Sequence, residues 1–213
     1  MNYDLSHIRR EYAQQSLSKY DVESDPFSQL QKWLDEALHA EALESTAMTL
    51  STSNKDGRVT SRTVLLKELK NEGLVFYTNY NSIKGHHLKE NPFASALFYW
   101  PELERQVRVE GTTEKVSAEE SDRYFESRPV ASRIGTWASD QSTEIPDREY
   151  LEQKQQEYSE YFRDKKIERP PHWGGYIIKP VRFEFWQGRE NRLHDRIEYS
   201  LEDQKWVLRR LAP

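Results

Sequence analysis

The sequence predicts a mainly β protein, an antiparallel barrel with helices packed outside it. Three observations carry that expectation. Strand-type segments fill residues 46–116 and 175–210, on either side of a helical stretch at about 117–165. Strands and helices do not alternate regularly, as a parallel sheet with crossover helices requires. No GxGxxG is present to open a dinucleotide-binding parallel fold.

Taken in order, residues 1–24 are polar with little periodicity and read as an arm that orders late or on binding, ahead of a single domain at 25–213. Asp25-Pro26 opens a helix, with Asp as N-cap and Pro at the first helical position. Phe27, Leu30, Leu34, Ala37 and Leu38 follow at helical spacing. Ala47–Ser53 runs into the turn Asn54-Lys55-Asp56-Gly57, and Arg58–Leu69 returns, because Asp-Gly is a strong hairpin cue. Gly73–Tyr80 is a third strand, and Ser82–Asn91 is a short helix stopped by Pro92. Phe93–Trp100 and Gln106–Val116 are strands, the second alternating Val107 and Val109 with Arg108 and Glu110. The helical stretch is interrupted by Pro129 and by a polar segment at 139–147. Four strands close the chain: Gly175–Lys179, Val181–Gln187, Glu198–Leu201 and Lys205–Arg210.

Composition narrows the function. Hydrophobic residues make up 36% of the 213, so the 6 Trp and 12 Tyr must supply much of the buried area. The chain has no Cys, which excludes disulfides, thiolate metal sites and a sulfur-linked flavin. No His-Glu-x-x-His or paired-carboxylate spacing suggests a metal; His86-His87 reads as helix surface. A net charge of −5 disfavours a nucleic-acid binder, while local arginines such as Arg9, Arg10, Arg192 and Arg196 suit a small anion. No stretch approaches the roughly 18 apolar residues of a spanning helix, and the N-terminus has no secretory pattern. A cytoplasmic protein without membrane partners is expected.

The most informative run is Phe183-Glu184-Phe185-Trp186-Gln187-Gly188-Arg189-Glu190-Asn191-Arg192-Leu193-His194-Asp195-Arg196. Phe183 and Phe185 alternate with Glu184 and Trp186, so one face packs and the other looks into something polar. Arg192, His194 and Arg196 fall at i, i+2 and i+4 and share a face if the piece is extended. The same spacing also fits an exposed strand with solvated charges. Three convergent donors beside a Trp resemble an anion-and-ring site more closely. A lone histidine is more often structural than catalytic, but between two arginines its imidazole should be neutral and free to hydrogen-bond a ligand.

This run resembles the defining motif of the pyridoxine 5′-phosphate oxidase family: an acidic-aromatic-Trp-Gln start, a four-residue spacer, then Arg-Leu-His-Asp-Arg. The resemblance extends to Arg9-Arg10-Glu11-Tyr12, Arg62–Lys67, Phe76–Asn79, Glu104–Val107, Tyr124–Pro129, Gln141-Ser142 and Arg210–Pro213. It implies an FMN-binding split β-barrel, Greek-key-like with peripheral helices, forming a homodimer with FMN at the subunit interface. FMN contacts then fall on Arg62, Lys67, Tyr77, Thr78, Lys84, Gln106, Gln141, Ser142, Trp186 and Arg196. Substrate contacts fall on Lys67, Tyr124, Arg128, Ser132, Arg192 and His194, with Arg9, Arg10, Glu11 and Tyr12 able to close over the ligand. Arg192 and His194 are the residues expected at the reacting carbon.

The implied reaction is oxidation of pyridoxine or pyridoxamine 5′-phosphate to pyridoxal 5′-phosphate in vitamin B6 metabolism. A hydride leaves the 4′ carbon for FMN, ammonia is released from the amine, and O2 is reduced to H2O2. One position departs from the family, which usually shows Ser-Arg-Lys where this chain has Ser82-Ile83-Lys84. Ile83 cannot supply a phosphate-binding guanidinium, leaving Arg62, Lys84 and the helix N-terminus to hold FMN.

Local patterning qualifies the transfer. Arg62 and Lys67 lie an odd number apart, so either a bulge re-aims one of them or they serve different ligands. Tyr124, Arg128 and Ser132 are spaced by four, yet Pro129 disfavours a helical Arg128, which puts Ser132 on the next segment. The rivals are another split-barrel flavin oxidoreductase and a non-catalytic carrier of pyridoxal phosphate.

Overall fold

The computed structural model describes residues 12, 13 and 15–213, so Arg9, Arg10 and Glu11 lie outside the described residues. Five helices and nine strands are found among them: α1 Pro26–His39, β1 Ala47–Ser53, β2 Val59–Leu65, β3 Glu68–Lys70, β4 Gly73–Asn79, α2 Ile83–Glu90, β5 Phe93–Trp100, β6 Arg105–Lys115, α3 Ala118–Ser127, α4 Val130–Ala138, α5 Arg148–Tyr161, β7 Trp173–Gln187, β8 Asp195–Glu202 and β9 Lys205–Leu211. The strands form one sheet in the order β2-β1-β5-β6-β7-β4-β3, with β8 on β7 and β9 on β8. The pairings of β3 with β4, β4 with β7, β7 with β8 and β8 with β9 are antiparallel.

The chain divides into two compact units. One comprises the described residues up to 48 with 96–110 and 180–213; the other comprises 49–95 and 111–179. In the first, the Asp25 carboxylate caps α1 by accepting from the Ser28 N–H at 2.8 Å. The buried face of α1 is Leu30, Trp33, Leu34 and Ala37, whereas Leu38, expected on that face, is exposed. Trp33 meets the edge of Phe185 at 5.2 Å, and Phe27 meets Phe183 at the same distance. The alternation of Phe183 and Phe185 therefore does face a core, closed by α1 and by Tyr199 of β8.

In the second unit, the Asp-Gly turn forms with Gly57 at φ +78°, the left-handed value that glycine tolerates. Phe125, Ile134, Ile167 and Trp173 make the core between the helices and β7. Arg128 adopts ψ 148° ahead of Pro129, so α3 stops there and Ser132 belongs to α4, as the proline dictates.

Several expectations are corrected. The returning arm of the hairpin is not one strand to Leu69; it breaks after Leu65 and resumes at Glu68. Gly175–Lys179 and Val181–Gln187 are instead a single strand. Pro180 lies where β7 has passed its pairing with β4, which ends at Ile178, and before that with β8, which starts at Arg182. A missing N–H costs least in such a gap. His87 is buried and bonded to Thr52 Oγ1 at 3.2 Å, while its neighbour His86 is exposed, since successive helical residues point in different directions. Finally, Arg192 and His194 do not lie on an extended strand with Arg196. Asn191 and Arg192 take φ 54° and 62°, so the chain turns sharply there and β8 begins only at Asp195.

Candidate active site

The expected ligand residues separate into two sets, one in each unit. In the second unit a cavity of about 580 Å³ is lined by Lys67, Tyr77, Thr78, Lys84, Tyr124, Arg128, Ser132 and Gln141, all named from the sequence. That volume suits a small-molecule site. Thr136 and Trp173 also line it and were missed.

Its wall is a column of rings. Tyr77 stacks on Tyr124 at 3.8 Å and on Trp173 at 5.4 Å. Tyr77 sits directly across from Gly175 on β7. A Cβ at Gly175 would lie 2.9 Å from the Tyr77 ring, so glycine is what lets that ring lie over the strand. Burial pushes the Tyr77 phenol up to about 12, with nearby Glu120 adding to the shift, so it stays a neutral donor.

One end of the cavity is cationic. α2 starts at the N-cap Ser82, whose hydroxyl accepts from the Gly85 N–H at 3.4 Å. Gly85 is obligatory, because a Cβ there would come within 2.1 Å of the Tyr80 carbonyl. This brings Lys84 in buried, with Nζ donating to Thr78 Oγ1 at 3.0 Å and to Gln141 Oε1 at 2.9 Å. Burial, reinforced by the Arg62 charge, lowers the Lys84 ammonium to about 8. Arg62 itself donates to the Leu50 carbonyl at 3.1 Å and to Thr52 Oγ1 at 2.8 Å. Among the described residues neither cation has a carboxylate partner, so the pair is left short of an anion. The parity question raised by Arg62 and Lys67 is resolved by the strand break: Arg62 turns back within β2, while Lys67 sits beyond it, its N–H bonded to the Val75 carbonyl at 2.9 Å. Ser142, at φ 73°, follows Gln141 on an exposed stretch.

The second cationic feature is Arg128. Its guanidinium donates to Thr136 Oγ1 at 2.7 Å and lies 4.7 Å from the Trp173 ring centre. Burial lowers its pKa.

In the first unit, Tyr12, Trp186 and His194 cluster: Tyr12 meets both rings edge-on at 5.9 Å, and Trp186 lies 4.6 Å from His194. His194 Nδ1 accepts the Arg189 N–H at 3.1 Å, which leaves Nε2 as the donor of a neutral imidazole. Desolvation first, and the Arg192 charge second, lower its proton affinity. Arg192 is exposed. Arg196, opposite Trp186 in the β7–β8 register, is held by both oxygens of the buried Glu184 at 2.9 and 3.0 Å. Gln106 lies on β6, half-buried.

A desolvated pair of cations, a cavity of this size and aromatic walls fit a phosphorylated, ring-bearing group such as FMN. Among the described residues there is no cluster of His, Asp or Glu able to hold a metal ion, and no helix is long and apolar enough to cross a membrane.

Comparison with known proteins adds the family. A model described as pyridoxamine 5′-phosphate oxidase matches residues 34–162, and one described as the pyridoxine 5′-phosphate oxidase C-terminal dimerisation region matches 173–213. A pyridoxine/pyridoxamine 5′-phosphate oxidase of Cyanothece sp. is 51% identical over 213 residues, 100% of both chains. A pyridoxine/pyridoxamine 5′-phosphate oxidase 1 of Ralstonia nicotianae is 53% identical over 210 residues, 98% of this chain and 99% of its own. PhzG of Burkholderia lata, solved with tetrahydrophenazine-1-carboxylic acid, superposes with a TM-score of 0.89 at 32% identity, covering 94% of this chain and 99% of that one. A pyridoxamine 5′-phosphate oxidase-related, FMN-binding protein of Nostoc punctiforme shares the fold at a TM-score of 0.68 and 19% identity, covering 93% of this chain and 100% of its own. The mainly β split barrel expected from the sequence is borne out. With both of its segments matched and full-length relatives identical at about half their positions, the chain belongs to the pyridoxamine 5′-phosphate oxidase family of oxidoreductases.

Proposed function

We propose that this protein oxidises pyridoxine 5′-phosphate and pyridoxamine 5′-phosphate to pyridoxal 5′-phosphate with FMN, passing the electrons to dioxygen. The observation that carries the reading is one aromatic-walled cavity lined by three cations, Lys84, Arg128 and Lys67, with the Arg62 charge acting on Lys84 from outside the lining. Two phosphorylated ring systems, cofactor and substrate, call for such a set. The names of the relatives at about 50% identity support the substrate class. The PhzG structure, whose ligand is a carboxylic acid, stands further away at 32%.

Arg62, Lys84, Thr78 and Gln141 would hold FMN at its phosphate end, with Gln106, Ser142, Trp186 and Arg196 as further contacts. Bound FMN supplies the hydride acceptor and the route to dioxygen. Lys67, Tyr124, Arg128 and Ser132 would clamp the substrate phosphate, each as a donor. Arg192 would fix the substrate ring, and the His194 Nε2–H would donate to the hydroxyl or amine on the reacting carbon. Tyr12, packed on His194, would help exclude water. Holding the reactants in line is the main protein contribution, worth roughly 7–11 kcal/mol in well-aligned systems. The active form would be a homodimer through residues 173–213, consistent with the matched dimerisation region.

The test is product analysis. Protein loaded with FMN and given pyridoxine 5′-phosphate in air should yield pyridoxal 5′-phosphate and peroxide in equal amounts. Binding of pyridoxal phosphate without peroxide would point to a carrier, and oxidation only of other substrates to a different oxidoreductase of the fold.

A further inference from the structure

The cavity wall contains a hydroxyl that neither the motif nor the spacing singled out. Thr136 lies on α4, four residues after Ser132 and eight after Arg128. Its Oγ1 lies 2.9 Å from the Ser132 carbonyl and 2.7 Å from Arg128 Nη1. A hydroxyl has one proton and an arginine has no acceptor, so the roles are fixed: Thr136 donates to Ser132 and accepts from Arg128. One side chain thus ties together the first turn of α4 and the guanidinium at the end of α3.

Arg128 needs such a tie. Its backbone is extended at ψ 148° ahead of Pro129, so no helical turn fixes where the side chain goes. Among the described residues no carboxylate pairs with it. The guanidinium is instead kept by the faces of Trp173 at 4.7 Å and Phe125 at 5.9 Å, and by the one bond to Thr136. Rings fix the plane of a guanidinium loosely, whereas a hydrogen bond fixes its rotation. With one N–H committed to Thr136, four of the five donors remain for an anion, in a fixed fork.

We propose that Thr136 is a positioning residue for the substrate-phosphate seat: anchored to the helix by donating to the Ser132 carbonyl, its hydroxyl accepts from Arg128 and presets that guanidinium for a phosphate monoester. The inference rests on the function proposed above for the identity of the substrate, but not for the existence of the anion seat. Thr136 touches neither the reacting carbon nor the cofactor in this account. Its loss should therefore appear in binding of the phosphate and leave the chemical step in place.

The experiment uses the FMN-loaded protein as wild type, Thr136→Val and Thr136→Ser. Valine keeps the shape and removes both hydrogen bonds; serine keeps the hydroxyl. Calorimetric titration with inorganic phosphate is run beside kcat and KM for pyridoxine 5′-phosphate. Thr136→Val should weaken phosphate binding and raise KM by about tenfold each, the size of one hydrogen bond to a charged group. Its kcat should stay within about twofold of wild type, because the interaction is equal in ground and transition states. Thr136→Ser should bind phosphate as the wild type does.

An unchanged phosphate affinity in Thr136→Val, or a wild type that binds no phosphate, overturns the proposal. So does a variant in which kcat, FMN content and KM all deteriorate together, since that is general damage to the α3–α4 corner. Should Thr136→Val not fold, Thr136→Ala carries the same expectations. A wild type that binds phosphate but oxidises neither substrate removes the proposed function, and Thr136 is then judged by the titration on the same criteria.

Discussion

The Lys84 ammonium donates to the side-chain oxygen of Gln141 at 2.9 Å, although 57 positions separate the two residues. The contact ties the polar segment after α4 to the first turn of α2 and places a buried cation at one end of the cavity.

Because burial and Arg62 bring Lys84 down to about 8 from 10.5, the folded chain loses this proton before the unfolded chain does. Between about pH 8 and 10.5 the unfolded state binds the extra proton, so this group favours folding more as pH rises. Below about 8 the buried charge opposes folding. An anion reverses the balance, since it binds the charged form. FMN affinity should therefore fall as pH rises through about 8, approaching tenfold per pH unit above it. Flavin fluorescence titrations at several pH values check this, and Lys84→Met should flatten the profile. A flat profile in the wild type would remove Lys84 from the cofactor site.

Arg192 follows a left-handed Asn191 and itself takes φ 62° on an exposed turn, which leaves its side chain open to a ligand. Arg192→Ala should lower kcat/KM for pyridoxine 5′-phosphate at least about a hundredfold, the scale of a charge contact that becomes desolvated only when the substrate binds. The protein should remain yellow and keep its melting temperature. Near wild-type kinetics would exclude Arg192 from the site.

His194 is held neutral by desolvation and by Arg192, and its Nδ1 is occupied by the Arg189 N–H. Protonation would force that N–H away. The folded proton affinity lies below the ordinary value of 6.5, so the stability contributed by the neutral form is complete above about pH 6.5. It is lost as pH falls through the lower folded value. Wild-type kcat/KM should decline on the acid side of that value, and His194→Asn should lose activity while removing this acid limb. An acid limb that persists in His194→Asn would assign it to another group.

Ile83 is half-exposed at the first position of α2, next to Lys84. An arginine there adds a donor at a helix N-terminus beside two existing cations. Ile83→Arg should tighten FMN binding by several-fold, measured by titration of the flavin-free protein; an unchanged dissociation constant would show that the cofactor phosphate lies elsewhere.

Local chemistry was readable where it is local. Asp25-Pro26 starts α1, Asp56-Gly57 turns the hairpin, and Pro129 ends α3 at Arg128, each because a backbone conformation is dictated by adjacent residues. The strand break after Leu65 and the continuity of β7 through Pro180 depend on which strand lies alongside, which no window of sequence contains. Thr136 and Trp173 were invisible for the same reason. A threonine inside a helix gains meaning only when Arg128 reaches it, and Trp173 becomes a cavity wall only because Gly175 lets Tyr77 lie across β7. The spacing of Arg192, His194 and Arg196 misled, because two left-handed residues without glycine bend a segment whose alternation looks extended. The ligand identities came from the resemblance of the 183–196 run rather than from spacing alone.

The most direct test of the central claim is the visible spectrum of the FMN-loaded protein before and after anaerobic addition of pyridoxine 5′-phosphate. The flavin bands should bleach, with colour returning when air is admitted. A protein that takes up no FMN, or whose flavin bands stay unchanged under the substrate, would contradict that claim.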